Sequence, residues 1–172
     1  MRRGRLLLLP ASLVGLCAIF AARAENASGE REALTPHYRI VLQIGPAEAM
    51  YTPTEARLRH PDAGEIMLGG RLSAEIGGLG HQPAGGPVPD ERHLELHVVS
   101  RATGKVVAEA HVTIAIAGPD KRWNSVPVAR MYGIEAGPDD LHYGNNVRLP
   151  PGAYSVRASV NGERAGFSVT LE

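Results

Sequence analysis

Three observations predict an all-β chain folded as an Ig-like antiparallel β-sandwich of about seven to nine strands. Stretches in which apolar and polar residues alternate recur from Tyr38 to Leu171, and a period of two puts alternate side chains on opposite faces of a strand. Turn signals rich in Gly, Pro and Asn separate these stretches at regular intervals, the spacing of short strands packed sheet on sheet. No stretch keeps a helical apolar period over helix length. The sequence shows no internal repeat and no second domain.

The first strand is predicted over 38–44, with Tyr38, Ile40, Leu42 and Ile44 on one face and Arg39 and Gln43 on the other. Gly45-Pro46 ends it and leaves Met50 in a loop. Residues 52–62 contain two prolines and scattered charge; they read as loop with room for one helical turn. A second strand is predicted over 65–76. Ile66, Leu68 and Leu72 share its apolar face, and Glu65, Met67, Gly69 and Arg71 share the other. The Gly- and Pro-rich stretch 77–90, which carries His81, reads as a long loop.

Alternation resumes over 93–99. Leu94, Leu96 and Val98 make the apolar face, and His93, Glu95 and His97 the opposite one. After a turn at 102–105, a long strand is predicted over 106–116, with Val106, Ala108, Ala110, Val112, Ile114 and Ile116 inward. Another strand is predicted over 123–131, weakened by Pro127 and therefore placed at a sheet edge. Near the end, Leu149-Pro150-Pro151-Gly152-Ala153-Tyr154 has the form of a tyrosine corner. Tyr154, Val156, Ala158 and Val160 then face inward, Asn161-Gly162 makes a hairpin, and Ala165, Phe167, Val169 and Leu171 complete the last strand.

Met1 to Ala24 has the form of an export signal. Arg2, Arg3 and Arg5 precede an apolar run, Leu6 to Phe20, and Ala22-Arg23-Ala24 offers a small-x-small cleavage site. The alternative, an uncleaved anchor, requires a run that is short for a membrane span. Cleavage at Ala24 predicts a periplasmic protein with no stable membrane insertion, a disordered segment over 25–36 and one domain over 37–172. Cys17, the only cysteine, lies inside the signal. The exported chain therefore has no thiol, which excludes Cys-ligated zinc, iron–sulfur clusters and thiol catalysis. Beyond Ala24 remain 14 basic and 18 acidic residues, a net charge of −4, and such a surface argues against a nucleic-acid partner.

The stretch with the most chemistry runs from Met131 to Leu149. A thioether (Met131) and an imidazole (His142) lie eleven positions apart with Glu135, Asp139 and Asp140 between them, in what reads as a loop carried by a β scaffold. Met and His together suit a soft or borderline metal such as copper. His142-Tyr143-Gly144-Asn145-Asn146, preceded by Met131 and followed by Gly152-Ala153-Tyr154-Ser155-Val156, resembles the periplasmic iron-transport-associated proteins. These are Ig-like, copper- and iron-binding dimers that accompany bacterial ferrous-iron permeases. The resemblance is strong from Met131 to Val156 and extends weakly from Tyr38 to the C-terminus. Asn145 stands where the family has Asp.

The resemblance implies a metal site of Met131 and His142, with Met67 and Met50 beside them, a homodimer, and an inner-membrane iron permease as partner. It aligns Met67 and Gly69 with the His and Glu of the family's His-x-Glu pair, and it leaves a late site His without a counterpart. A site so rich in sulfur favours Cu(I) over iron. Packing is the competing account of Met50, Met67 and Met131. His93-x-Glu95-x-His97 is a second candidate, since period two sets the three on one strand face, successive residues about 6–7 Å apart; the competing account there is the polar outer face of a half-buried sheet. No nucleophile motif is present, and the adjacent acids Asp139 and Asp140 read as solvated, so the chain is not expected to be an enzyme. From another functional class comes a metal-free Ig-like interaction module of the cell envelope, with the 77–90 loop and Trp123 as contact elements.

Overall fold

The computed structural model describes residues 30–70 and 89–172. The larger of its two sheets collects β1 (Arg31–Leu34), β2 (Tyr38–Pro46), β3 (Met50–Tyr51), β4 (Glu65–Gly70), β5 (Glu91–Ser100), β8 (Ala129–Gly133) and β9 (His142–Arg148). Its strand order is β1-β2-β5-β9-β8-β4-β3. The smaller sheet, β11-β10-β6-β7, is made of β6 (Val112–Ala117), β7 (Trp123–Val126), β10 (Gly152–Val160) and β11 (Glu163–Leu171). Pairing is antiparallel except between the two residues of β3 and β4. The fold is the all-β sandwich that the alternating pattern predicts, with eleven strands among the described residues because short edge strands add to the long ones.

The core lies between the sheets. Ile40, Leu42, Leu94, Leu96 and Val98 of the larger sheet are fully buried and cluster with Ile114, Val156, Ala158, Val160, Phe167 and Val169 of the smaller one. Each such aliphatic side chain contributes about 1.5–3 kcal/mol by leaving water. The Tyr154 hydroxyl donates to the Pro150 carbonyl at 2.7 Å, which is the tyrosine corner expected from the sequence. Asn161 and Gly162 both have positive φ, 49° and 91°, as a two-residue hairpin turn between β10 and β11 requires.

Several elements depart from the sequence reading. Residues 25–36 were expected without order, yet Arg31–Leu34 pair with β2, Arg31 opposite Leu42; the export signal expected over Met1 to Ala24 lies outside the described residues. The stretch 52–62 is not loop: Pro53–Arg59 form α1. The helix buries no residue, so it has no apolar period to read; its local chemistry specifies it instead. Thr52 accepts from the Glu55 N–H, Glu55 accepts from the Thr52 N–H, and Pro53 sits in the first turn. The strand expected over 106–116 starts only at Val112, and Val106 makes a single isolated bridge to Val99 and is exposed.

Pro127 divides the predicted 123–131 strand in two. It cannot donate to a ladder, and the chain crosses there from β7, at the edge of the smaller sheet, to β8 in the larger one. The second predicted strand is described only to Gly70, as β4. The 77–90 loop with His81 falls almost wholly outside the described residues. The main correction concerns His142. It does not sit in a loop but opens β9, a central strand between β5 and β8.

Candidate metal centre

Sheet register brings the chemistry together on the face of the larger sheet that points away from the sandwich core. Met67 of β4 is opposite Met131 of β8, and Met131 is opposite His142 of β9. On the other side of β9, His93 is opposite Asn146 and Glu95 opposite Gly144, and the same register sets His97 beside His142. Directly opposed residues on neighbouring strands share a face. One lateral row therefore runs Met67, Met131, His142, His97 across four strands, with His93 and Glu95 further along β5. Glu65, two residues before Met67, shares their face.

This face is buried, contrary to the expectation of a polar outer surface. His93 and His142 are fully buried, and Glu65 and Asn146 nearly so. On β4 the expected burial is inverted: Met67 is 7% exposed and the apolar Leu68 40%. The segment leading into β3 covers part of the face. The Asn146 amide donates to the Glu48 carbonyl at 2.7 Å, and its Oδ1 accepts from the Glu48 N–H at 3.3 Å. Met50, Met67, Met131 and Ala129 form a buried cluster of their own, separate from the sandwich core. The three methionines that the sequence singled out therefore do meet, next to His142 along the row.

Gly144 permits this close assembly. A Cβ at that position would lie 1.7 Å from the Leu94 carbonyl oxygen, so only glycine lets β5 and β9 approach here. The strand interior is an unusual place for glycine, and the close approach of backbone explains it.

The two buried imidazoles are held in defined tautomers. His142 Nδ1 lies 2.8 Å from the Asp140 carbonyl oxygen. His93 Nδ1 lies 2.8 Å from Asn146 Oδ1, which is an oxygen because the amide nitrogen is committed to Glu48. Both Nδ1 atoms face pure acceptors, so both carry the proton and donate. In the neutral ring each Nε2 then carries a lone pair, and the two Nε2 atoms lie 3.5 Å apart. Glu65 Oε2 lies 3.5 Å from His142 Nε2 and, though buried, has no hydrogen-bond partner among the described residues. Two imidazole nitrogens and a carboxyl oxygen thus converge, ligand atoms that one cation can draw together.

Electrostatics agree with this. Burial, reinforced by the negative charges of Glu48, Glu95 and Asp140, pushes the Glu65 carboxyl up to about 9. Burial first, and the neighbouring imidazoles His93 and His97, hold His142 below the usual histidine range against the opposing pull of Asp140 and Glu95, so its Nε2 is free at neutral pH. Burial works to raise Glu95, but the His97 hydrogen bond and the nearby imidazoles outweigh it and hold the carboxyl below the ordinary value.

Glu65, His93 and His142 can hold a metal ion; their ligand atoms lie within 4.8 Å of one another. Two imidazoles and a carboxylate, each His anchored through its other nitrogen, are the donor set and outer support that first-row divalent ions use. Among the residues put forward from sequence, His142 is in this group, while Met131, Met67 and Met50 lie in the sulfur cluster beside it. His93, Glu95 and His97, read as a separate candidate, belong to the same face. Glu65 was missed; its only signal was its place on the polar side of β4 together with Met67. A His-x-Glu pair, His93-x-Glu95, lies close to His142 on the neighbouring strand. Asn145 points elsewhere: its amide donates to the Pro127 carbonyl at 3.0 Å, pinning the crossing between sheets. In comparisons with protein-family models, curated proteins and solved structures, none matched this chain.

Proposed function

We propose that this chain is an exported metal-binding protein whose cargo is copper, with iron as a second metal, and that it serves iron transport across the envelope. The observation that carries the metal reading is the pair of Nε2 atoms 3.5 Å apart, each on an imidazole whose Nδ1 is already committed. Without a cation between them, two lone pairs repel in a site shielded from water. With one, both become ligands and Glu65 supplies a compensating charge.

Copper is favoured because the site joins two kinds of donor. Imidazole and carboxylate suit Cu(II) and Fe(II), while the thioethers of Met50, Met67 and Met131 suit Cu(I). The sequence alone suggested a centre poor in carboxylate; Glu65 and Glu95 remove that objection to iron. Periplasmic location rests on the export signal read over Met1 to Ala24, and a homodimer and a permease partner rest on the likeness of Met131 and the His142–Asn146 and Gly152–Val156 stretches to the iron-transport-associated proteins.

Protein isolated from the exported fraction, and again after copper loading and desalting, is to be assayed for metal by mass spectrometry. About one copper per chain is expected, one ion for the buried group of Glu65, His93 and His142. Absence of bound copper or iron after loading overturns the reading, and the metal-free interaction module of the envelope then takes its place.

A further inference from the structure

His142 belongs to two ligand groups at once. Glu65, His93 and His142 form the first, and Glu95, His97 and His142 the second, each with ligand atoms within 4.8 Å. The groups differ in exposure. The side chains of His142 and Glu65 are 0% and 4% exposed, whereas those of His97 and Glu95 are 18% and 16% exposed. The second group is preassembled: His97 Nε2 and Glu95 Oε2 are 3.1 Å apart, and the His97 ring lies 5.1 Å from the His142 ring, tilted by 47°. On its other flank His142 meets His93, rings 5.7 Å apart and nearly perpendicular.

His142 can serve only one group at a time. Its Nδ1 is committed to the Asp140 carbonyl, which leaves one lone pair, on Nε2. An imidazole nitrogen with one lone pair binds one metal ion. Two ions cannot both take His142, so the groups are alternative positions for a single ion. An ion arriving from water meets the partly exposed pair first, because His93 and His142 have no contact with solvent.

We infer that a first-row divalent cation is taken up in two steps, first on Glu95 and His97 with His142, then on Glu65 and His93 with His142 retained. His142 is the hinge of the transfer; His97 and Glu95 govern the rate at which metal enters and leaves, and Glu65 and His93 govern how tightly it is finally held. The inference rests on the metal-binding reading proposed above. No oxidation or reduction is involved. Only the metal–ligand bonds exchange, two forming as two break, and a proton on Glu65 departs to solvent as the ion arrives.

The test uses the full exported chain and a Cu(II) salt alone, with the ligand-field absorbance followed by stopped flow. Wild type, His97→Ala, Glu95→Gln and Glu65→Gln are compared, and circular dichroism checks that each keeps the wild-type β spectrum. Glu95→Gln keeps the side-chain volume, so it carries the test if His97→Ala does not fold. Wild type should show a fast phase that scales with copper concentration and a slower phase that does not, ending at one copper per chain. His97→Ala and Glu95→Gln should lose the fast phase and take up copper roughly tenfold more slowly, and each should lose less equilibrium affinity than Glu65→Gln, whose affinity should fall by roughly tenfold or more. Glu65→Gln should keep the fast phase and lose the slow one. A wild-type fast phase that survives in both outer variants overturns the inference, as do outer variants that weaken equilibrium binding as much as Glu65→Gln, or two coppers per chain at saturation. Failure of wild type to bind copper at all would overturn the metal-binding reading itself, and this inference with it.

Discussion

His93 Nε2 and His142 Nε2 face each other at 3.5 Å across β5 and β9, and neither imidazole is free to turn away. Asn146 holds one through Nδ1 and the Asp140 carbonyl holds the other. A side chain on β9, the strand next to Met131, therefore decides whether the His93 nitrogen is aimed correctly. Asn146 touches no proposed metal position; it acts through His93.

Asn146→Ala should accordingly weaken copper binding by about 10- to 100-fold, the usual effect of losing the support of a ligating imidazole. The Glu48 backbone loses its partner as well, so stability should fall by about 1–3 kcal/mol. Competition with a chromogenic chelator measures the first effect and urea denaturation the second. Stability that falls while copper affinity stays at the wild-type value would mean that His93 is not a ligand.

Gly144→Ala places a methyl group where the Leu94 carbonyl oxygen lies 1.7 Å away. Backbone cannot yield as a flexible side chain does, so β5 and β9 must separate. A loss of about 3 kcal/mol, the upper range for overpacking, is expected from the urea midpoint. His93 and His142 stand on the two strands that move, so copper affinity should drop with stability. A variant as stable as wild type would show that the strands have slack at this point and that glycine there is incidental.

The first two predictions rest on features that the sequence displayed unequally. Leu94, Leu96 and Val98 alternated cleanly because one face of β5 meets the core, and the sandwich followed from such runs. The opposite face of β5 showed His93, Glu95 and His97, which have the same pattern whether they meet water or a buried centre. Alternation reports that two faces differ, not which is buried. Met67 and Glu65 were legible as the non-aliphatic side of a strand, but their burial depends on β8 and on the segment around Glu48, distant in sequence. His142 was read as a loop residue because Gly144, Asn145 and Asn146 are turn formers; in β9 they serve close approach and side-chain hydrogen bonding instead. Helix α1 was read as loop with room for one turn for the reverse reason: it buries nothing, so only its capping residues mark it.

Acid should loosen the junction between β1, β2 and the β10–β11 hairpin. Glu163 accepts from the His37 N–H at 3.1 Å and meets His37 Nδ1 at 2.5 Å. Hydrogen bonding, from the Thr35 side chain first and then from His37, lowers the Glu163 carboxyl from 4.5 to about 2. A carboxyl whose folded value lies below its unfolded one adds stability above the unfolded value. That contribution is lost as pH falls from about 4.5 toward about 2. Melting temperature measured across this window should therefore fall less steeply for Glu163→Gln than for wild type. Parallel curves would show that the pair contributes nothing to acid sensitivity.

The sulfur cluster should separate copper in its two oxidation states. Met131 is fully buried and lies between Met67 and His142 in the lateral row. Met131→Leu keeps the volume and removes only the sulfur, so stability should change by less than about 1.5 kcal/mol. Cu(I) prefers thioether to carboxylate, and its affinity should fall at least tenfold, or about 1.4 kcal/mol. Cu(II) leans on imidazole and carboxylate, and its affinity should hardly move. Glu65→Gln should do the opposite, sparing Cu(I) and weakening Cu(II). The two variants differ in charge and in strand position, so a general loss of folding cannot mimic the crossed pattern. Chelator competition under reducing and then oxidising conditions gives all four values. Cu(I) held as tightly by Met131→Leu as by wild type would show that Met50, Met67 and Met131 only pack, and that the centre consists of Glu65, His93 and His142 alone.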